Sequence, residues 1–146
     1  MTRSHPVLDS GSVRLEFTVT AADSGGELHE MRATYAPGSP LPPAHLHPAQ
    51  TERFQVHEGA LEFIVDGSAT TVGAGQVLEV PPGAVHQVHN PGDVPAVVTW
   101  QTRPALRTGE FHCAVAAARE SGDLSRLLAV VEEYADVLVL TPQTSR

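Results

Sequence analysis

Cysteine is almost missing from this chain. Cys113 stands alone among 146 residues, so no disulfide can close within the chain, and a reducing compartment is the simplest expectation. No stretch approaches the roughly 20 consecutive apolar residues of a membrane-spanning helix. The segment from Met1 to Gly11 carries charged and turn-forming residues where a signal peptide would carry an apolar run. A cytoplasmic protein without a membrane partner is the expectation. Positive charge is also scarce: 9 Lys and Arg against 17 Asp and Glu give a formal net charge of -8, which repels a nucleic-acid backbone. There is no helix-turn-helix region either, so nucleic acid is set aside as a partner. With no internal repeat, low-complexity tract or flexible linker, the chain reads as one domain, long enough to bury a core without cross-links.

Glycine and proline are well represented, 12 of each, as expected of many short strands joined by tight turns. The dominant period is two. Val13, Leu15, Phe17 and Val19 alternate with Arg14, Glu16 and Thr18, and a second strand is expected over residues 28–35. Residues 61–65 and 69–72 flank Asp66-Gly67, a dipeptide suited to a type I′ hairpin. Segments 76–80, 85–89 and 96–102 complete a run whose apolar faces a closed double sheet or barrel would bury. After Pro104 the period becomes helical. Thr108 can cap a helix through Arg119 that ends at Gly122, and Asp123 or Ser125 can cap another with Leu124, Leu127, Leu128 and Val131 on one face. That stripe packs either across the barrel or against a second subunit. Self-packing is the default, with a homodimer through this element or the first strand as the partner expectation.

Two short stretches carry the chemistry. The first holds His45, His47 and Glu52; the second contains His86. Three imidazoles and a carboxylate are a donor set for one divalent transition metal. His45 and His47 share a face of an extended strand, whereas Glu52, five positions on, has the wrong parity for an unbroken strand. Pro48 lies between, donates no ladder hydrogen bond, and is expected to bend the chain and reset the register. His86 follows the turn signal Pro81-Pro82-Gly83 and arrives from elsewhere in the fold.

These residues resemble the two motifs of the cupins. Gly38, His45, His47, Glu52 and Gly59 match G(x)5HxH(x)3-4E(x)6G with one extra residue after Gly38, and Gly75, Pro81, Gly83, His86 and Asn90 match G(x)5PxG(x)2H(x)3N without deviation. The resemblance covers roughly residues 38–90. It implies an all-β fold, a cupin β-barrel (double-stranded β-helix or jelly roll). Residues 1–104 would form the barrel and 105–146 a C-terminal α-helical extension of the same domain. It also implies a metal held by His45, His47, Glu52 and His86: Fe, Mn, Ni, Co, Cu or Zn. The competing reading is a cupin scaffold that has lost its metal, but such loss usually deletes a ligand, and all four are present. The motif glycines serve turns of positive φ or close backbone approach. Asn90 is expected to bond locally.

Four ligands leave open positions on a six-coordinate metal, and no cysteine lies in either motif to suggest a closed structural site. The expected activity is that of an oxygenase, of dioxygenase type, on a small organic substrate. The alternatives are a Lewis-acid cyclase or isomerase of the polyketide-cyclase kind, or a cupin that binds a ligand without turning it over. Gln50, between the ligands, is the candidate to contact substrate or metal-bound water, weighed evenly against a plain loop amide. Phe54, Val88, Met31 and Trp100 are the candidate pocket walls. By strand parity His57 and His89 face away from the metal. His5, His29, His57, His89 and His112 are read as surface or hydrogen-bonded structural residues.

Overall fold

The alternating run at Val13–Val19 forms a strand, β2, in which Phe17 is buried and Thr18 exposed. The computed structural model of the chain describes residues 5–141, so residues 1–4 and 142–146 of the two expected segments lie outside it. Ten further strands are found among the described residues: β1 (Val7–Asp9), β3 (His29–Tyr35), β4 (His45–Leu46), β5 (Thr51–Glu58), β6 (Ala60–Val65), β7 (Ser68–Gly73), β8 (Val77–Val80), β9 (His86–His89), β10 (Ala96–Arg103) and β11 (Val139–Leu140). Three helices accompany them: α1 (Ala21–Ser24), α2 (Thr108–Ser121) and α3 (Leu124–Glu133).

The strands form two antiparallel sheets, one in the order β1-β2-β3-β10-β5-β8 and the other β11-β4-β9-β6-β7. This is the jelly-roll barrel with two C-terminal helices expected from the sequence. The hairpin between β6 and β7 turns at Asp66 (φ 48) and Gly67 (φ 85), both in the left-handed region that a type I′ turn requires. Between the sheets lies one apolar core, where the Phe54 ring of β5 meets the Phe63 ring of β6 at 4.9 Å, edge to face.

Register orders the inner face of the first sheet into rows, because directly paired residues of adjacent strands point to the same side. Phe17 pairs with Met31, Met31 with Trp100, Trp100 with Phe54 and Phe54 with Leu78. One row along, His29 pairs with Thr102, Thr102 with Glu52 and Glu52 with Val80. The apolar row seals the core, and the polar row beside it borders the site described below.

The helical extension departs from expectation in two places. Thr108 is the first residue of α2 rather than its cap, its Oγ1 accepting a hydrogen bond from Gln50 Nε2 at 2.8 Å; Arg107 stands at the cap without a side-chain capping bond, its guanidinium bonding Asp136 and Glu133 O instead. Asp123 caps α3 as expected, Oδ1 accepting from the Ser125 amide at 2.9 Å. The inward face of α3 only partly follows the stripe read from the sequence, of which Leu127 and Val131 are half-buried. Leu124 and Leu128 stay exposed, and Val130 packs instead on Phe111, Tyr134 and Val137. Tyr134 and Val137 lie in the turns just past the end of α3, and their contact with Phe111 gives Val130 an aromatic anchor to pack on. No helix among the described residues is long and apolar enough to cross a membrane.

Candidate metal centre

Short elements place the donors. β4 holds only His45 and Leu46, with His45 directly opposite His86 of β9. His47 is the next residue, and the chain bends at Pro48 and Ala49 before β5 begins in the other sheet at Thr51. The bend therefore carries the chain from one sheet to the other, and Glu52 faces the imidazoles from across the barrel. Ring centroids of His45 and His86 are 4.4 Å apart, and each lies 5.2 Å from His47. One nitrogen from each ring falls within 4.8 Å of those of the other two.

The outer nitrogens fix which lone pair each ring offers. His45 Nδ1 is 3.1 Å from Pro43 O, His47 Nδ1 2.7 Å from Val137 O, and His86 Nδ1 2.9 Å from Ala84 O. A carbonyl only accepts, so each Nδ1 carries a hydrogen, and each neutral ring presents the bare lone pair of Nε2 to the interior. This is the arrangement in which backbone carbonyls orient metal-ligating histidines. Glu52 lies outside the three-imidazole group but touches two of its members: its Oε1 is 2.8 Å from His86 Nε2 and 3.2 Å from His47 Nε2. Trp100 Nε1 donates to Glu52 Oε2 at 2.8 Å, which aims the other oxygen at the rings.

A bare imidazole nitrogen and a carboxylate oxygen are both acceptors, so a 2.8 Å separation requires a cation between them, either a proton or a metal ion. The electrostatics agree. Burial would raise the Glu52 carboxyl, but His47 and His86 outweigh it and hold the group below the usual carboxylate range. Burial likewise opposes a charge on His47, yet Glu52 prevails and raises that ring. His45 is pushed down to about 4 by burial and then by His86. His47 Nε2 is buried and, among the described residues, makes no well-aligned hydrogen bond despite its closeness to Glu52. The four side chains thus fit a divalent metal.

The other residues singled out by sequence divide between wall and scaffold. Gln50 is 1 % exposed and its Nε2 donates to Pro104 O, Ala105 O and Thr108 Oγ1, tying the bend to the start of α2, while its Oε1 has no partner among the described residues. Phe54 and Val88 belong to the core cluster; Met31 is fully buried in the row with Phe17 and Trp100. The Trp100 ring stacks on Phe54 at 5.2 Å. His57 Nε2 reaches Thr99 Oγ1 and His89 Nε2 reaches Glu62 Oε1, each at 2.6 Å, so both are engaged away from the metal-ligand rings. Asn90 bonds Tyr35 O, Val94 O and the Gly92 amide, a loop tie as expected.

Sequence reasoning missed His29 and Thr102. His29 is 1 % exposed, and its Nε2 has no partner among the described residues, which corrects its reading as a surface or hydrogen-bonded residue. His112 of α2 stacks on it at 6.2 Å and meets the Trp100 ring at 5.4 Å. Burial pushes His29 down to about 4, and burial followed by His29 pushes His112 down to about 3. Both are held neutral in the folded state. As pH falls below about 6.5, the unfolded chain takes up protons that the folded chain refuses, so stability drops until the folded pKa is reached. For His29 alone this amounts to on the order of 2–3 kcal/mol between pH 6.5 and 4. Urea midpoints measured across that range should fall for the wild type and fall less for His29→Phe; equal pH slopes would contradict this account.

Comparison with known proteins gives one family and many structural likenesses. The family model described as "Cupin domain" matches residues 31–102. A germin-like protein of Oryza sativa subsp. japonica, Germin-like protein 1-1, is 46 % identical over 72 residues, covering 46 % of this chain and 33 % of its own length. The chain thus spans about a third of the curated relatives it matches. Among solved structures, a predicted oxalate decarboxylase from Thermotoga maritima superposes with a TM-score of 0.62 at 18 % identity, covering 69 % of this chain and 92 % of the other. An RmlC-like cupin from Shewanella frigidimarina gives 0.59 at 21 % identity, covering 71 % and 87 %.

Proposed function

We propose that this chain, which belongs to the cupin family through its domain at residues 31–102, is a metal-dependent enzyme acting on a small organic molecule, with dioxygenase chemistry as the reading its centre supports best. The observation that carries it is the cluster of three imidazoles, each fixed by an Nδ1 bond to a carbonyl, with the Glu52 carboxylate against His86 and His47. His45, His47, His86 and Glu52 would hold the ion. A redox-active divalent ion would supply open coordination positions and electron transfer between an organic donor and dioxygen.

The chain's own groups set the conditions for that chemistry. Glu52, the single anion among the four donors, leaves a divalent centre with net positive charge that draws an anionic oxygen of the substrate. Trp100 holds Glu52 in position through its 2.8 Å bond. Phe54, Met31 and Val88 keep the adjoining interior apolar, and the buried Gln50 amide lies against His47. The names of the structural neighbours, among them a predicted oxalate decarboxylase, are in keeping with small oxygen-bearing substrates.

The test is reconstitution. Protein stripped of metal and reloaded with iron(II) should consume dioxygen in the presence of a suitable phenol, diketone or thiol, and zinc-loaded protein should not. Turnover of the same compounds by the zinc form without oxygen would replace the oxygenase reading with the Lewis-acid cyclase or isomerase; tight binding without conversion would leave a ligand-binding cupin.

A further inference from the structure

The polar row His29, Thr102, Glu52 crosses three adjacent strands of the first sheet, and only its last member is accounted for by the metal centre. His29 Nε2 and Thr102 Oγ1 are both buried without a hydrogen-bond partner among the described residues, on side chains each 1 % exposed. Buried polar atoms are normally paired, and leaving one unpaired is costly. Two of them in the strand row that ends on Glu52 point to a ligand rather than to faulty packing.

His29 also borders a groove of about 340 Å³ between β2 and α2, lined by Pro6, Phe17, Leu106, Gly109 and Cys113 among others. Gly109 lets α2 lie close: a Cβ there would stand 3.3 Å from His29 Cε1. His29, one of the groove's lining residues, has Thr102 as its strand partner, and Thr102 is the strand partner of Glu52. Aromatic rings flank this line, with His112 between His29 and Trp100.

We infer that His29 and Thr102 form a substrate-recognition wall, which binds the far end of a small cyclic or aromatic molecule through a hydroxyl or carbonyl group while an oxygen at its near end meets the metal. This deepens the proposed function and rests on its metal site. The strands of His29 and Glu52 lie two spacings apart, about 10 Å, which a ring with oxygen groups at opposite ends spans. The wall offers nothing to a polyanion. The chain contains no lysine, and none of its described arginines is buried.

A pair of hydroxamates tests this. Both 4-hydroxybenzohydroxamate and benzohydroxamate chelate a divalent metal, and only the first carries a distal hydroxyl. Calorimetric titration of cobalt(II)-loaded wild-type protein should show about tenfold tighter binding of the hydroxylated compound, one well-made hydrogen bond's worth. In Thr102→Val and in His29→Phe that preference should shrink towards unity, with unchanged metal stoichiometry. Thr102→Val should melt no lower than the wild type, because it removes a hydroxyl that has no hydrogen-bond partner among the described residues; a marked loss of melting temperature would make the hydroxyl structural and overturn the inference. So would equal affinity for the two hydroxamates in the wild type, or a preference undiminished in both variants. Wild-type protein that takes up no metal would instead remove the proposed function itself, an outcome read before any hydroxamate is added.

Discussion

His47→Ala should yield a folded barrel whose affinity for metal is lower by about a hundredfold or more, given that loss of an outer-shell partner alone typically costs 10–100-fold. His47 is the ligand with most invested in its orientation. Its Nδ1 is held by Val137 O from the far end of the chain, and its buried Nε2 lies 3.2 Å from Glu52 Oε1. Glu52→Gln should give a loss of the same order by a different route: the replacement keeps the volume but removes the anion that offsets the ion's charge. It also removes the attraction that raises His47, so in the metal-free variant that ring should titrate below its wild-type value. Elemental analysis and competition with a chelator measure the first effect, and the proton resonances of the ring measure the second. Metal content equal in the wild type and both variants would dissolve the centre, and an unfolded far-ultraviolet spectrum would show that His47 is needed for the barrel itself.

How much of this was legible beforehand depended on how local each determinant is. The hairpin at Asp66-Gly67, the alternation of Val13–Val19 and the Gly122 stop of α2 are written in a few adjacent residues. The two ligand stretches could be recognised from spacing, and the bend at Pro48 could be demanded from parity alone. The strands β4 and β11 could not be read, because two residues carry no period. The wall of His29 and Thr102 was hidden for a different reason. Those residues are neighbours only through the register of β3 on β10, set by segments some seventy positions apart, and neither sits in a motif. The support of His47 by Val137 is still less visible: it spans 90 positions and uses a backbone carbonyl, for which residue identity gives no sign. In α3 Leu124 and Leu128 gave way to Val130, and that choice lay with the Tyr134 and Val137 contacts beyond the helix end.

Gly59 and Gly75 close and open the two motifs and look alike in sequence, yet alanine should separate them widely. Both have positive φ, +70 at Gly59 and +86 at Gly75, so either substitution meets the left-handed penalty of about 1 kcal/mol or somewhat more. At Gly75 nothing lies within 4 Å of the added carbon, and the penalty ends there. At Gly59 the new Cβ would stand 2.3 Å from Pro95 O and 3.0 Å from Ala96 Cα, both backbone atoms, which cannot swing aside like a side-chain end. Relief requires moving the β5–β6 turn away from the start of β10, and the ladder between β10 and β5 is already irregular at Val97 and Val98. A total loss of roughly 3 kcal/mol or more is expected for Gly59→Ala, a large share of the 5–15 kcal/mol that holds a typical domain. At about 2–4 °C per kcal/mol for a chain of this size, the melting temperature should fall by roughly 10 °C, against a few degrees for Gly75→Ala. Because β5 carries Glu52, shifting its far end should also loosen the metal centre, so metal affinity in Gly59→Ala should decline while that of Gly75→Ala stays near the wild type. Equal melting losses in the two variants would mean that the close approach to Pro95 is not what requires glycine at position 59.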